Sequence, residues 1–406
     1  MSAFPSPAVQ ANDDPPALRV CIVYDALYPC SIGGAERWYR LLAERLAADG
    51  HDVSYLTPVQ WAPDRPPSLS GVRLLATSAA GGPSYAHGRR RLASQVMFAF
   101  AVWRHHWQRS RRYDVVHTAA LSPLTALGLA ALGRWRGFRL VLDWWEVWTW
   151  SYWRHYLGPF SGTAAWLLQR ALMLSPHQPI VYSRVHEKRL RRRRDAPALL
   201  LRGLLPAQTP LGSPEVADAT VIFAGRHIPE KQVERMVPAA AIARERIPDL
   251  RAIFFGEGPS RQAVRDAIVR EELSDAIALP GFVDENELRE QLRRALCLVL
   301  PSRREGFGLI VAEAAALGVP SVVLAHPDSA AGELICDGVN GFMLRSGTPA
   351  EIASAILRVH DAGFALRQRT LEWFHRQAAD LTIEGSLPRI LATYRGSDAA
   401  QEGNRW

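Results

Sequence analysis

Glu305 and Glu313 bracket a glycine loop, Gly306-Phe307-Gly308, in the stretch PSRREGFGLIVAEAAALGVP at residues 301–320. A carboxylate in such a loop can accept hydrogen bonds from sugar hydroxyls. One about a turn deeper in a helix can take both hydroxyls of a ribose. The glycines let the backbone approach a ligand closely. The amides of Phe307, Gly308, Leu309 and Ile310 would meet an anion at a helix mouth, where the dipole favours negative charge. The same residues also fit a plain core helix with a capping glutamate, so the surroundings must choose.

Those surroundings read as strand, glycine loop, helix, strand. Apolar residues 297–300 precede the loop and 321–325 follow the helix. Ala312, Ala314, Ala315 and Ala316 favour helix, and Gly318 and Pro320 stand where a helix ends. In open α/β sheets this layout places a ligand at the carboxyl edge of the strands.

Three further groups could join the same chemistry. In TVIFAGRHIPEK, residues 220–231, a strand and Gly225 lead to Arg226 and Lys231. An arginine offers phosphate a two-pronged fork and a lysine a mobile point charge; the alternative is ordinary surface charge. Gly33 and Gly34 sit at the first turn of a βαβ unit built from residues 18–24, 38–48 and 51–57. They fall short of a dinucleotide fingerprint, so NAD binding is not read from them; a tight turn and a backbone approach to phosphate both fit. The run WWEVWTWSYWRH at residues 144–155 begins where a strand ends at Asp143. Aromatic rings stack on sugar faces and carboxylates take hydroxyls, so Asp143, Trp145, Trp148 and His155 are acceptor-side candidates, beside Glu146. An aromatic wedge between domains is the competing reading.

The chain that must position these groups has 406 residues, enough for two domains. Its four cysteines show no metal spacing and fit a reducing compartment. No signal peptide is expected, no apolar run reaches the ~20 residues of a spanning helix, and the protein is expected to be cytoplasmic. The net charge of +8 is unevenly placed: residues 1–205 carry 26 Arg and Lys against 13 Asp and Glu, and residues 206–406 carry 22 against 27. The basic half is expected to face an anionic partner. Residues 87–112, HGRRRLASQVMFAFAVWRHHWQRSRR, combine apolar residues at helical spacing with arginine-rich ends. They suit either a buried domain helix or peripheral contact with an anionic membrane. The arginines at 191–194 read as a solvated face. No aromatic-interleaved module for nucleic acid is visible, so no nucleic-acid partner is expected.

The expected organisation is a disordered tail at 1–17, a Rossmann-like acceptor-side domain at 18–206, a linker at 207–218 and a nucleotide-binding domain at 219–375. A C-terminal helix, then a tail, fills 376–406, the helix packing back on the first half. Within this frame 198–205 reads as a strand, 330–336 as a short helix and 373–394 as one amphipathic helix, and Pro238 leaves the shape of its helix open.

Taken together, Gly225-Arg226 with Lys231, Gly256-Glu257-Gly258-Pro259, Pro280-Gly281-Phe282-Val283 and Glu305-Gly306-Phe307-Gly308 with Glu313 resemble the retaining glycosyltransferases of family 4. The resemblance runs from Leu18 to about Tyr394. It implies the α/β GT-B fold, two Rossmann-like domains facing each other across a cleft. It implies a nucleoside-diphosphate sugar as donor, held by Arg226 and Lys231 at the diphosphate, Glu313 at the ribose and Phe282 with Val283 at the base. Glu305 and the amides of Gly306, Phe307, Gly308 and Leu309 would hold the transferred sugar, and Gly33 and Gly34 would close over the phosphate. Glu305, Glu146, Arg226 and Lys231 are then the catalytic candidates, with no metal, no cofactor and no protein nucleophile. The sequence departs from the family at Trp145, where many members have histidine, and at Arg202-Gly203, where many have Asn-Gly; Glu146 could take over the histidine's sugar contact. The acceptor would be a glycan, a lipid-linked sugar or a small molecule. A non-catalytic nucleotide-sugar-binding partner of a synthesis complex and a sugar-nucleotide epimerase are the alternative readings.

Overall fold

A computed structural model describes residues 16–62, 64–77, 85–86, 89–90, 92–109, 113–194, 197–206 and 217–396. Residues 1–15 of the expected tail, 207–216 of the expected linker, and 87, 88, 91 and 110–112 of the basic segment lie outside the described residues. Strands in chain order are β1 (Arg19–Val23), β2 (Asp52–Pro58), β3 (Arg73–Thr77), β4 (Val115–Ala119), β5 (Arg139–Trp144), β6 (Gln178–Val181) and β7 (Leu199–Leu200). They form one parallel sheet in the order β3-β2-β1-β4-β5-β6-β7. The second half supplies β8 (Thr220–Ala224), β9 (Arg251–Phe255), β10 (Ile277–Gly281), β11 (Cys297–Leu300), β12 (Ser321–Leu324) and β13 (Gly341–Leu344). Its sheet, also parallel, runs β10-β9-β8-β11-β12-β13. The central strands are apolar on both sides because helices cover both faces: Val20 to Val23, and Cys297 to Val299, are fully buried.

Helices Gly34–Ala48 on one face, and Leu92–Arg109, Pro123–Arg136 and Pro159–Leu174 on the other, enclose the first sheet. The helix expected in 87–112 buries Phe98, Ala99 and Val102 yet leaves Met97, Phe100 and Trp107 exposed. Pro238 lies in the first turn of the helix Met236–Arg244, where its missing amide breaks no hydrogen bond.

Four local expectations change. The span 373–394 is not one helix: Pro349–Leu381 and Ile383–Arg395 meet at Thr382 (φ −102°, ψ 160°). The break exists because the backbone of Leu205 enters it, donating to Leu381 (3.0 Å) and accepting from Ile383 (2.9 Å). For the same reason 198–205 pairs as a strand only at Leu199–Leu200, with Leu205 forming an isolated bridge to Thr382. Residues 330–336 make only a 3-10 turn, Ala331–Leu334. Arg194 is no solvated charge; it donates to the carbonyls of Met173, Ser175 and His177 at 2.7–2.9 Å and closes the end of the helix Pro159–Leu174.

The two sheets are locked together by several polar contacts. Glu333 accepts the amides of Arg184 and Val185 (2.9 Å each), the first turn of the helix Arg184–Arg191, where a carboxylate complements the dipole. Tyr152 donates to Glu230 (2.9 Å), and Arg189 pairs with Asp328. Tyr394 from the last helix meets His117 of β4 at 2.6 Å.

Candidate active site

Strand order locates the site before any side chain does. Each sheet starts in its middle and reverses direction next to its first strand, between β1 and β4 and between β8 and β11. Loops leaving such a reversal diverge and open a crevice at the carboxyl edge. At the second reversal, β8 feeds Gly225, the exposed Arg226 and the 3-10 turn Pro229–Lys231, while β11 feeds the loop 301–308. The Arg303 amide donates to the Glu230 carbonyl (2.8 Å), stitching turn to loop. Lys231 thereby reaches Glu305, its Nζ in contact with Oε1 and both side chains about six-sevenths buried (15 % and 14 % exposed). Behind them the loop is pinned to residues 328–330: Glu305 accepts from the Ala330 amide at 2.8 Å.

The loop ends at Gly308, the N-cap of the helix Leu309–Ala316. Its φ of +93° is open to glycine, and a Cβ there would lie 2.9 Å from that of Ala331. Across the cleft, Gly34 begins its own helix, and Leu309 Cδ2 lies 3.7 Å from where a Gly34 Cβ would stand. Two helix N-termini therefore converge near Lys231, a setting in which backbone dipoles and cation act together on an anion. The structure so brings Gly33, Gly34, Lys231, Glu305, Gly306, Phe307, Gly308 and Leu309 to one place, with Arg226 on the adjoining loop.

Glu313 lies on the same helix and opens a second compartment. A cavity of about 370 Å³ is lined by Glu313, Ile310, Phe282 and Val283 from the second half and by Tyr28 and Arg37 from the first. Its size and mainly apolar walls suit a flat heterocycle with a polar end. Arg37 crosses between the domains and binds Glu313 (2.8 Å) and Glu285 (3.0 Å). Burial raises the Glu313 carboxyl above its ordinary value, and the Arg37 guanidinium pulls against that rise. Arg37 was within reach of sequence reading, since it stands one helical turn after Gly33-Gly34, but only the fold shows what it faces.

The aromatic run needs correction. Asp143 is fully buried; His117 Nε2 meets its Oδ1 at 2.8 Å, and Tyr394 holds the other side of that ring. Trp145 is 9 % exposed and stacks on Tyr182 with ring centres 4.0 Å apart. Neither presents a surface to an acceptor: Tyr39 and Tyr182 bury Trp145 inside the first domain, and His117 with Tyr394 of the last helix buries Asp143. His155 is exposed on the short helix Trp150–Leu157, its ring beside Tyr152. Trp148 is half-buried against Tyr152, Trp153 and Tyr156 and donates to Glu146. Glu146 does abut the loop, its Cγ 3.4 Å from a Gly306 Cβ position, but Arg304 binds it at 3.1 Å. Arg304, 7 % exposed, also reaches Asp328 (3.4 Å) and lies 3.4 Å over the Tyr152 ring. It was overlooked although it immediately precedes Glu305; a doubled arginine before a loop carboxylate is the available signal.

Gly306 stands at a close approach of the two domains. A Cβ there would come within 2.9 Å of the Trp145 carbonyl. Gly306→Ala should therefore pry the loop from β5 while leaving each sheet intact. The expected result is a loss of turnover on the order of tenfold to a hundredfold, as for a small misplacement of positioning groups, with circular dichroism unchanged. Wild-type turnover would show that this approach is not needed.

The chain is similar to known proteins over nearly its whole length. Residues 33–202 match the model described as glycosyl transferase 4-like domain, and residues 213–371 match the one described as glycosyl transferases group 1. It is 28 % identical to the glycogen synthase of Mycobacterium tuberculosis over 415 aligned residues, 95 % of this chain and 97 % of that one. It is 31 % identical to alpha-D-kanosaminyltransferase of Streptomyces kanamyceticus over 152 residues, 37 % of this chain and 39 % of that protein. In fold it resembles sucrose-phosphate synthase from Thermosynechococcus elongatus, with a TM-score of 0.75 at 20 % identity over 95 % of this chain and 100 % of that one. The Anabaena Alr3699/HepE protein, solved in complex with UDP and glucose, gives 0.69 at 16 % identity over 93 % and 99 %.

Proposed function

Because the chain belongs to the glycosyl transferases group 1, and has their GT-B fold, we propose that it moves a sugar from a nucleoside-diphosphate sugar to an acceptor hydroxyl. The observation that carries this reading is the buried Lys231–Glu305 pair at the strand-order reversal of the second sheet, in the loop that leads to Leu309, which abuts Gly34 of the first domain. The base enters the cavity against Phe282 and Val283, and the ribose hydroxyls take Glu313. The diphosphate lies between Arg226, Lys231 and the two helix N-termini, and the sugar meets Glu305. Glu146, held by Arg304 beside the loop, borders the acceptor side.

The reaction breaks the bond from the anomeric carbon to the phosphate oxygen. Charge grows on the leaving diphosphate, where Lys231, Arg226 and the fixed amides favour it without reorganising. The acceptor oxygen bonds to the anomeric carbon on the face the diphosphate leaves, retaining configuration, and a phosphate oxygen takes the acceptor's proton. No protein nucleophile, metal or cofactor enters these steps.

Arg37 pairs with Glu313 and Lys231 with Glu305, so each carboxylate that contacts the donor also has a cation beside it. A basic first half fits an acceptor that is anionic or lipid-linked.

A thermal-shift panel of nucleoside diphosphates and their sugars tests the donor. One base should raise the melting temperature, since saturation to about 100 times Kd stabilises by ~2.7 kcal/mol. Glu313→Gln should weaken that shift while Tyr28, on the apolar wall, still admits the base. A panel in which nothing shifts the melt and nothing is consumed would overturn the reading.

A further inference from the structure

The first domain carries an apolar face that none of the described residues covers. On the helix Pro159–Leu174 the exposed residues include Phe160, Ala164, Leu167, Leu168, Ala171 and Leu174. They recur every three or four positions, so this helix turns an apolar stripe outward as well as one inward. Phe160 is 89 % exposed and Leu174 72 %. The stripe is not isolated. Helices Leu92–Arg109 and Pro123–Arg136 lie in the same layer and add Phe100 (61 % exposed) and the neighbouring Trp107 and Trp135, whose rings are 5.2 Å apart. So many large apolar side chains exposed on neighbouring helices of one layer mark an interaction surface.

Charge says what covers it. The helices that carry these exposed apolar residues and their arginines, Leu92–Arg109, Pro123–Arg136, Trp150–Leu157 and Pro159–Leu174, contain no Asp or Glu; the carboxylate of Glu187 on the adjoining helix Arg184–Arg191 is only 14 % exposed. Their described basic residues include Arg104, Arg134, Arg136, Arg154 and Arg170. Three of these lie over tryptophan rings: Arg136 over Trp107, Arg154 over Trp150 and Arg170 over Trp166, at 4.4–5.3 Å. An arginine on an indole keeps its charge at the rim of an apolar patch, as a polar headgroup zone requires. A second copy of this chain would set these arginines against one another with no carboxylate on those helices to answer them. No helix among the described residues is long and apolar enough to cross a membrane.

We propose that this face is the docking surface for an anionic phospholipid bilayer. Phe160, Leu167 and Leu174 sink below the headgroups, and the arginine–tryptophan pairs lie at headgroup level. The proposal deepens the reading of a lipid-linked acceptor, yet it stands apart from the catalytic assignment because docking needs no donor.

Sedimentation with vesicles tests it, using the full chain without nucleotide. Vesicles containing phosphatidylglycerol should carry the protein down, and pure phosphatidylcholine vesicles should not. Phe160→Ser/Leu167→Ser/Leu174→Ser should weaken partitioning on the order of a hundredfold, with thermal unfolding and donor-induced stabilisation unchanged. A separate variant, Arg134→Glu/Arg154→Glu, should weaken it without removing apolar surface and should reduce its salt sensitivity. Equal partitioning of wild type and both variants would overturn the proposal, as would equal recovery with charged and neutral vesicles. A dimer in light scattering that the triple variant dissolves, without vesicle binding, would assign the face to a second copy and overturn it too.

Discussion

Lys231→Ala lowers kcat/KM for the donor by about 10²–10³-fold, the loss typical of removing one preorganised group from developing negative charge. Three features of the surroundings set that expectation. The side chain is 15 % exposed, so little water can replace its charge. It ends a 3-10 turn fixed by Pro229 and by the bond from Arg303 to Glu230, so its position is set before a ligand arrives. Its partner Glu305 lies in the loop that leads to the helix N-terminus at Leu309. The substitution also strands the Glu305 carboxylate, 14 % exposed, without its cation. A modest drop in melting temperature should therefore accompany the kinetic loss. Steady-state kinetics with calorimetric melts separate the two effects. A variant that melts lower but keeps wild-type kcat/KM would make the pair structural and remove Lys231 from the reaction.

Acid should destabilise this protein from pH values above the range where ordinary carboxylates titrate. Three buried histidines are held neutral: His106 is pushed down to about 4, His177 to about 3 and His186 to about 3. Burial is the main cause for each, and Arg194 beside His177 and Arg189 beside His186 add to it. Two of them also need a free ring lone pair. His177 Nε2 accepts from Trp144 Nε1 (3.2 Å), and His186 Nδ1 accepts from the Val147 amide (3.1 Å). In the unfolded chain these rings bind protons below about 6.5. In the folded chain they resist until about 4 or 3. The unfolded state then holds more protons across that window, so stability rises with pH and falls as acid is added. Each histidine contributes a slope approaching ~1.4 kcal/mol per pH unit once it is fully charged in the unfolded chain. Urea melts at pH 7, 6, 5 and 4.5 should show the midpoint falling steadily. His186→Asn, which keeps an acceptor near the Nδ1 position, should remove about one proton from the slope. A midpoint that is flat down to pH 4.5 would contradict the burial of these rings.

Both results depend on contacts that lie far apart in the chain, which bears on how much of the molecule its residues disclose locally. Lys231 and Glu305 could be picked out because each sits just past an apolar strand and beside a turn-forming glycine or proline. Pattern alone marks that junction as a carboxyl edge. Asp143 and Trp145 sit at the same kind of junction, yet Trp145 is sealed by Tyr39 and Tyr182, and Asp143 by His117 with Tyr394 of the C-terminal helix. Local pattern cannot distinguish an open strand end from one roofed by residues 250 positions away, as Tyr394 roofs His117 and Asp143.

The residues alone determined two parallel sheets, their glycine turns, and the strand-loop-helix in which Glu305, Gly308 and Glu313 stand, because apolar periodicity and backbone permissiveness are local properties. Only the tertiary structure decided that Arg37 closes on Glu313 from the opposite domain, that Arg304 ties Glu146, and that the Pro159–Leu174 helix shows an apolar face to solvent. These are matters of which surfaces meet. A helix apolar on two sides reads the same in sequence whether its second side is covered by a neighbour or by nothing, and the partner of a charge is set by packing across distances that no sequence window spans.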